Sequence, residues 1–449
     1  MPLVVFQLLD TKEFDIGENF SILLFGITED GTTICARIKD PSMKHTFYYP
    51  LPALAPQGLT GRRISNYFDV IKLGQSDKSQ FRQVKVVRPS GASAYLEFEG
   101  TTRLTFDLVK NMGPHDYQGI HFRAESFIGP EADFMLDTGI KIPSAECTYI
   151  AEEEKISTCQ IELALSYSDL NSVEPDGYVL HRAPLRIMSV DIETDVPSNF
   201  SLSRPTIERI LQIASMATRH GDEEPFSRRV MLVGSCQKIE GIKVVAYETE
   251  KAMWEAWFNH FRELDPDVLT GYNTSRFDLP YIFIRAEQLG IGFDLGRLKG
   301  VRYKGVNFQQ RDFSIAPLIP GILNFDVLNY ICKRHPMSDS EQWDFRQATG
   351  RKPFGLDGSS WRFLGEKKED IDFRLIPTLQ RGTDDDRMRL AVYCSKDAWL
   401  PLRLIYKLNA LENWTQYSRR KPVSFNISFM RPRVAELVLS IQKARSSTS

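Results

Sequence analysis

The pattern of hydrophobic and polar positions changes near residue 180. Before that point the two kinds of residue alternate in short segments separated by glycine, proline and aspartate, such as FSILLFGIT, TTICARI, RQVKVVRP and SAYLEF. Alternation with a period of two is typical of β-strands that bury one face. Residues 1–180 are therefore predicted to be mainly β, with a few helices between the strands, one of them around Ile64–Ile71.

After Pro184 the pattern predicts strands followed by alternating strands and helices. Five β-like segments occur there: LRIMSVDI, RILQIASMAT, RRVMLVGSC, KVVAYET and DVLTGYN. In KAMWEAWFNHFREL, the residues Met253, Trp257 and Phe261 recur at helical spacing, which predicts a helix with one buried face. PYIFIRAEQLG predicts a second helix, and several strands followed by such units describe a mixed sheet flanked by helices.

Two further predictions concern the rest of the chain. Residues 291–360 show no clear period and are predicted to be irregular, with a hairpin or an inserted loop. Further on, Thr383 and Asp386 resemble a capping box, although Glu or Gln is the usual partner. They are predicted to open one long helix, RMRLAVYCSKDAWLPLRLIYKLNALE, with a kink at Pro401.

Composition narrows the possible classes of protein. The 449 residues exceed the usual size of a single core, so two or three domains are expected. With 56 basic and 58 acidic residues the formal net charge is −2, which argues against a protein that coats nucleic acid without specificity. The six cysteines include no C-x-x-C pair, which excludes an obvious zinc knuckle and favours a reducing compartment. No 18-residue apolar run and no basic leader occur, so an intracellular protein without a membrane span is expected.

The first candidate site is the triplet Asp191-x-Glu193 at the end of the apolar segment LRIMSV. In a strand the period of two places both carboxylates on one face. Two like charges there are unfavourable unless a cation lies between them, and divalent ions would serve. About two such triplets are expected by chance, and two others occur in stretches predicted to be polar loops, Asp222–Glu224 and Asp339–Glu341. By itself, the motif is more often a solvated strand end than a metal site.

The second candidate lies in GYNTSRFDLPY, at a predicted strand-to-helix junction. Asp278 would be favourable as a helix N-cap, and that role is the more frequent one for an aspartate just before a helix. Asn273 and Phe277 change the balance, because an amide and an exposed aromatic ring beside a carboxylate can hold a nucleotide by hydrogen bonding and stacking. Both interpretations remain open for this segment alone.

The third candidate is Tyr393-x3-Asp397 on the predicted long helix, where a separation of four places both side chains on one face. The alternative, a half-buried tyrosine beside an exposed aspartate, is favoured when this motif is taken alone. Together, however, the three motifs bring four carboxylates and one tyrosine to strand, junction and helix positions. This is the residue set of a two-metal phosphodiesterase, and chance rarely assembles it.

The three motifs, D-x-E, N-x3-F-D and Y-x3-D, resemble those of the DEDD exonucleases in their tyrosine subtype. The flanking segments APLRIMSVDIE, LTGYNTSRFDLPYI, FLGEKKEDI and RLAVYCSKDAWLPLRL are similar to the delta-type catalytic subunits of family B DNA polymerases. Weaker similarity extends over the N-terminal part, so that the resemblance covers nearly the whole chain. Residues 301–361 match poorly, and Thr194 stands where delta-type enzymes usually have cysteine. The polymerase signatures D-x-x-S-L-Y-P-S, K-x3-N-S-x-Y-G and Y-G-D-T-D-S do not occur.

This resemblance implies a mixed α/β fold in which an RNase H-like exonuclease domain follows a mainly β N-terminal domain. The implied boundaries are 1–180 for the N-terminal domain, 181–410 for the exonuclease domain and 411–449 for a segment that returns towards the N-terminal domain. The palm, fingers and thumb of a polymerase are expected to be absent. A hairpin over 301–325, near the entrance for DNA, is also expected.

The resemblance also implies roles for individual residues. Two Mg²⁺ ions, with Mn²⁺ as a substitute, are expected on Asp191, Glu193, Asp278 and Asp397, and Tyr393 is expected to orient the attacking water. Contacts with DNA are expected from a second set of residues: Asn273, Phe277, Thr194 and Arg276.

The implied function is proofreading hydrolysis of single-stranded or frayed 3′ ends of primer–template DNA. The implied setting is the nucleus or a viral replication compartment, with a separate polymerase half or replication accessory subunits as partners. The alternative is a non-catalytic scaffold or a truncated polymerase product that binds DNA or replication proteins.

Overall fold

The computed structural model describes most of the chain in separate stretches. They are residues 3–16, 19–38, 46–52, 56–72, 81–89, 93–100, 115–117, 120–122, 139–143, 148–166, 171–172, 183–195, 207–292, 295–301, 319–366, 371–420, 429 and 440–441. Within these stretches no helix combines the length and the apolar character that a membrane span needs.

The described part of the first 172 residues consists mainly of β-strands, as the alternating pattern predicts. The strands are β1 (Leu3–Ile16), β2 (Asn19–Ile27), β3 (Thr33–Ile38), β4 (Thr46–Pro50), β5 (Phe81–Val87), β6 (Tyr95–Gly100), β7 (His115–Tyr117), β8 (Ile120–Phe122), β9 (Gly139–Pro143), β10 (Thr148–Tyr149), β11 (Ile161–Leu165) and β12 (Asn171–Ser172). One sheet has the order β10-β11-β3-β2-β1-β9-β12, and another has the order β4-β6-β5. The predicted helix is present as α1 (Gly61–Asn66), which continues into a π-helical turn (Tyr67–Lys72).

The described residues after 183 form a six-stranded mixed sheet. Its strands are β13 (Arg186–Thr194), β14 (Ile210–Arg219), β15 (Ser227–Val233), β16 (Lys243–Tyr247), β17 (Val268–Gly271) and β18 (Leu323–Asp326). Their order is β16-β15-β14-β13-β17-β18. Strand β14 runs antiparallel to both of its neighbours, whereas β13, β17 and β18 are parallel. Strand β13 therefore lies inside the sheet, with a strand on each side.

Eight α-helices occur among the described residues after 183, and several of them cover the two faces of this sheet. They are α2 (Glu250–Leu264), α3 (Asp278–Gln288), α4 (Val327–Arg334), α5 (Asp339–Thr349), α6 (Leu356–Leu364), α7 (Ile376–Arg381), α8 (Asp384–Lys407) and α9 (Ala410–Arg420). The predicted buried face of α2 is confirmed, since Met253, Trp257 and Phe261 lie in one apolar cluster with side chains of the sheet.

The side chains of β13 alternate between the two faces of the sheet. Met188, Val190 and Ile192 pack in the cluster that contains α2 and α3. Ile187 packs in the other large cluster, which contains side chains of α8. This alternation follows from the period of two in a strand. The side chains at odd-numbered positions of β13 therefore lie on the face of the sheet that α8 covers.

Helix α8 begins as predicted but ends earlier. The capping box of Thr383 and Asp386 is present at its start. The predicted single helix is divided after Lys407, and Asn409, between α8 and α9, adopts a left-handed conformation with φ of +46°. Pro401 lies inside α8, and the kink expected there stays a prediction.

The prediction that residues 291–360 are irregular is wrong in the described part, since β18, α4, α5 and α6 begin there. No side chain of α5 is buried, so this helix has no apolar period that could reveal it. Its start is marked instead by a capping box of Ser338 and Glu341, which places Asp339 in a helix rather than in the predicted polar loop. The hairpin expected over 301–325 falls mostly outside the described residues.

Arg297 connects the six-stranded sheet with the β region that precedes it. Its guanidinium is buried and donates hydrogen bonds to the carboxylates of Asp265 and Asp267 and to the carbonyl of Gly321. Its own carbonyl accepts a hydrogen bond from the amide of Thr158, in the preceding region. A fully buried arginine is tolerated here because several acceptors replace the water that it has lost.

Replacing Arg297 by alanine is expected to destabilise the protein by about 3–5 kcal/mol, because the fully buried Asp267 loses a charged partner. The measurement is urea unfolding followed by tryptophan fluorescence. As a control, Arg374→Ala removes an exposed ion pair with Asp372 and is expected to leave the urea midpoint almost unchanged, because water screens such a pair. Equal losses in the two variants would contradict the role of Arg297 as a buried connection.

Candidate functional site

Strand β13 places Asp191 and Glu193 on the same face, as their spacing predicts. Both occupy odd-numbered positions, like Ile187, and therefore lie on the side covered by α8. One ligand atom from each of Asp191, Glu193 and Cys394 lies within 4.8 Å of the others. Asp191 is half-buried and Glu193 is 5% exposed, so two carboxylates are crowded where little water reaches them.

Helix α8 brings the third motif to this face. The Cys394 thiol lies 3.5 Å from the carbonyl oxygen of Asp191, which fixes this turn of the helix against β13. Asp397 is only 5% exposed, so the alternative of an exposed aspartate at this position is wrong. Tyr393 is half-buried and packs against a small apolar cluster that includes Leu390.

Asp278 begins α3, but its carboxylate does not cap that helix. The cap position belongs to Phe277, which makes no side-chain capping bond. Oδ1 of Asp278 instead accepts a hydrogen bond from the Ile192 amide of β13, 3.2 Å away. Because Ile192 stands between Asp191 and Glu193, the second motif reaches the same strand as the first. The helix-cap interpretation of Asp278 is therefore wrong.

Burial raises the pKa of two groups at the site, and the charges of neighbouring carboxylates add to the rise. Burial, together with the nearby carboxylates of Asp326 and Asp397, raises the pKa of Asp278 from its usual value to about 8. The Ile192 amide opposes this rise, since it stabilises the charged form. Burial, followed by the charges of Asp191 and other carboxylates, also holds the pKa of the Cys394 thiol well above its usual value.

The segment between β17 and α3 contains three of the predicted DNA contacts. Asn273 is in the left-handed region, with φ of +66°, and its carbonyl accepts from the amides of Arg276 and Phe277 at 3.1 and 3.0 Å. Phe277 is half-buried, with its ring centre 5.7 Å from that of Tyr281, whereas Arg276 is exposed. Thr194, at the end of β13, is 7% exposed and so offers little surface for a DNA contact.

Two residues of this region are not singled out by the sequence motifs. Asp326, at the end of β18, is buried and accepts hydrogen bonds from the backbone amides of Asn273, Ser275 and Leu328, each 3.0 Å long. A carboxylate at the end of a short apolar segment, LNFD, is the signal that could have revealed it. Cys394 lies inside the third motif, but only the folded chain shows that its thiol adjoins Asp191 and Glu193.

The side chains gathered here fit divalent cations. Asp191, Glu193, Asp278 and Asp397 offer oxygen ligands, which Mg²⁺ and Mn²⁺ prefer. Crowded carboxylates, one of them with a raised pKa, are unfavourable as anions on their own. A divalent cation would compensate this charge.

Comparison with known families agrees with this geometry. Residues 125–342 match the family model described as the DNA polymerase family B, exonuclease domain. Residues 125–342 are therefore similar to an exonuclease domain of DNA polymerase family B. Asp191, Glu193 and Asp278 lie within the matched range, whereas Tyr393 and Asp397 lie beyond its end.

The relatives that this chain matches are considerably longer than it is. It is 32% identical over 458 residues to the DNA polymerase delta catalytic subunit of Schizosaccharomyces pombe, an alignment that covers 95% of this chain and 40% of the relative. The corresponding subunit of Bos taurus is 32% identical over 431 residues, which cover 88% of this chain and 37% of the relative. The chain thus spans about two fifths of the length of the curated relatives it matches.

A solved structure has the same overall fold. The family B DNA polymerase from the hyperthermophilic archaeon Pyrobaculum calidifontis matches with a TM-score of 0.61 and 18% identity, over 98% of this chain and 50% of that one. At this identity the likeness concerns the fold alone. The predicted fold class, an RNase H-like exonuclease domain preceded by a mainly β region, is confirmed.

Replacing Asp278 by asparagine is expected to stabilise the metal-free protein, and more so at pH 8 than at pH 5. The pKa of Asp278 is raised to about 8 in the folded protein, so the folded state keeps a proton that the unfolded chain loses above about pH 4. The wild type therefore loses stability as the pH rises from about 4 towards 8. The asparagine variant has no ionisable group at position 278, so its stability lacks this dependence on pH. Melting temperatures in the presence of EDTA test the difference.

Asp344→Asn, which changes an exposed carboxylate on α5, is the control for the loss of one negative charge. Mg²⁺ is expected to raise the melting temperature of the wild type more than that of Asp278→Asn, because an ion that binds only the folded state stabilises it. A variant equally destabilised at both pH values would contradict a buried, ionisable Asp278.

Proposed function

We propose that this chain hydrolyses DNA from single-stranded or frayed 3′ ends, as the proofreading 3′→5′ exonuclease part of a delta-type family B DNA polymerase. The observation that carries this proposal is the convergence of carboxylates on β13. Asp191 and Glu193 belong to that strand, and Asp278 is hydrogen-bonded to its Ile192 amide. Carboxylates from separate elements that meet at one crowded place are what two-metal hydrolysis of a phosphodiester requires.

Asp191, Glu193, Asp278 and Asp397 would together hold two divalent ions, with Mg²⁺ as the proposed ion and Mn²⁺ as a substitute. The chemistry that such ions supply when bound is activation of water and neutralisation of charge on the leaving 3′-oxygen. Tyr393, one helical turn from Asp397, would orient the attacking water through its hydroxyl group. This is the arrangement of the tyrosine subtype of DEDD exonucleases.

The segment from Asn273 to Phe277 would hold the terminal nucleotides. The side-chain amide of Asn273 can hydrogen-bond to a nucleotide, the ring of Phe277 can stack on a base, and the exposed Arg276 can contact a phosphate. Thr194 would contact the strand only through its small exposed surface. Because a mismatched primer end frays more readily than a paired one, it would reach this site more often.

We further propose how this chain is organised and where it acts; it covers only 40% of its relative from Schizosaccharomyces pombe. Residues 1–180, 181–410 and 411–449 are proposed as the N-terminal domain, the exonuclease domain and a segment that returns towards the N-terminal domain. The proposed setting is DNA replication in the nucleus or in a viral replication compartment. Accessory subunits, or a separately encoded polymerase half, would be its partners.

Replacing Asp191 and Glu193 together by alanine is expected to lower nuclease activity at least about 10³-fold. Ligands for both ions are lost, and each 1.4 kcal/mol of lost transition-state stabilisation costs about tenfold in rate. Folding should survive, because removing crowded carboxylates relieves repulsion in the metal-free protein. The measurement is Mg²⁺-dependent shortening of 5′-labelled single-stranded DNA on a denaturing gel, with melting temperatures recorded in parallel.

The matched control is the double variant Asp222→Ala/Glu224→Ala, which removes the same kind of triplet from an exposed stretch and should leave the activity unchanged. A non-catalytic scaffold predicts no difference between the two double variants. Equal nuclease rates in the wild type and in Asp191→Ala/Glu193→Ala would mean that the activity comes from a contaminant. The exonuclease proposal would then have to be abandoned.

Tyr393→Phe and Phe277→Ala are expected to separate catalysis from DNA binding. Tyr393→Phe removes one hydroxyl and should lower the rate about 10-fold to 100-fold, the effect of one hydrogen bond to a charged group, with little change in affinity. Phe277→Ala removes a stacking contact worth about 1–3 kcal/mol per base and should weaken binding about 5-fold to 150-fold. Fluorescence anisotropy of a single-stranded oligonucleotide, with Ca²⁺ in place of Mg²⁺, measures affinity without cleavage. A loss of affinity confined to Tyr393→Phe would refute these roles.

A further inference from the structure

Asp326 is a fully buried carboxylate that the proposed reaction does not use. Its Oδ1 accepts hydrogen bonds from the amides of Asn273 and Leu328, and its Oδ2 accepts one from the amide of Ser275. The bond from Leu328 is an ordinary cap of α4. The other two come from a different part of the chain, the segment between β17 and α3. Asp326 therefore joins the end of β18 to the second sequence motif.

The backbone of the segment between β17 and α3 has an unfavourable conformation at one residue and a close contact with β13 at another. Asn273 is in the left-handed region, with φ of +66°, which non-glycine residues populate sparsely, although asparagine does so more than most. At Gly271 the chain passes so close to β13 that a Cβ atom would lie 2.6 Å from the carbonyl oxygen of Val190. The two oxygens of Asp326 accept hydrogen bonds from the amides of Asn273 and Ser275, and these bonds oppose relaxation of the turn.

The same segment leads directly to the carboxylates of the site. The amide of Phe277 donates to the carbonyl of Asn273, which closes the turn. One residue later, Asp278 accepts the hydrogen bond from the Ile192 amide of β13. A shift of Asn273 would therefore reach Asp278 through a short, hydrogen-bonded connection.

We propose that Asp326 is a positioning residue, whose carboxylate holds the turn 273–278 against the end of β18. The turn then presents Asn273, Phe277 and Asp278 in the arrangement that nucleotide and ion binding require. The consequences for activity rest on the proposed exonuclease function, whereas the restraint itself does not. The simpler alternative is that Asp326 only caps α4.

Asp326→Asn separates these two roles. Asparagine caps a helix as well as aspartate does and keeps one oxygen for Leu328 and Asn273, but its amide nitrogen cannot accept the hydrogen bond from Ser275. Hydrogen–deuterium exchange within residues 271–278 should become at least about tenfold faster. This is the increase expected when one restraining hydrogen bond to a charged group is lost. For the same reason the Mg²⁺-dependent nuclease rate should fall about 10-fold to 100-fold, and half-maximal activity should need more Mg²⁺.

The matched control is Ser338→Ala, which removes the capping hydroxyl of the exposed helix α5. Its melting temperature should fall because a helix cap is lost, with exchange of 271–278, nuclease rate and Mg²⁺ requirement unchanged. Wild-type values of all three in Asp326→Asn would overturn the proposal and leave Asp326 as a helix cap only. If Asp326→Asn does not fold, Asp326→Ser, which keeps a capping oxygen, is judged by the same three measurements.

The two proposals can fail separately. Hydrogen–deuterium exchange can be measured whether or not the protein has nuclease activity. A wild-type chain without activity would refute the exonuclease function. The exchange rates of residues 271–278 in Asp326→Asn would still decide whether the restraint exists. Faster exchange with an unchanged nuclease rate and Mg²⁺ requirement would show a restraint that does not position the site, and this outcome also overturns the proposal.

Discussion

The crowding of carboxylates around strand β13 is the constraint on which the rest of this structure depends. Burial raises the pKa of Asp278, and the charges of Asp326 and Asp397 add to that rise, while Asp191 and Glu193 crowd each other on the strand itself. Proteins lower such a cost with hydrogen-bond donors, protons or cations. The Ile192 amide supplies one hydrogen-bond donor to Asp278. Divalent cations would neutralise the negative charge that remains on the carboxylates.

The sheet makes this crowding possible because β13 lies inside it and has a different helical layer on each face. Val190 and Ile192 enter an apolar core with α2 and α3, which fixes the strand on that side. The opposite face is apolar at Ile187 and becomes acidic towards the end of the strand, where α8 adds Asp397. The apolar packing on both faces offsets the unfavourable burial of charge at one end of the strand.

Features with a local signal could be predicted from the sequence, whereas features that depend on distant contacts could not. The period of two places Asp191 and Glu193 together, and helical spacing predicts the buried face of α2. In contrast, α5 buries no side chain, so no apolar period marks it, and only its capping box does. Spacing placed Tyr393 and Asp397 on one face of α8, but it carried no information on the burial of Asp397, which arises from packing against the sheet.

Asp278 and Asp326 show most directly what a sequence motif leaves out. Asp326 ends a short parallel strand, Asp278 comes a few residues after another, and both lie at the start of a helix, so local preference favours a helix cap for both. Their surroundings differ because β18 passes directly into α4, whereas a turn at Asn273 separates β17 from α3. Asp326 consequently meets the amides of its own helix and of that turn, while Asp278 lies one position past the cap and meets β13 instead. Asp326 thus caps its own helix, whereas the carboxylate of Asp278 caps no helix and is directed to the strand that carries the first motif.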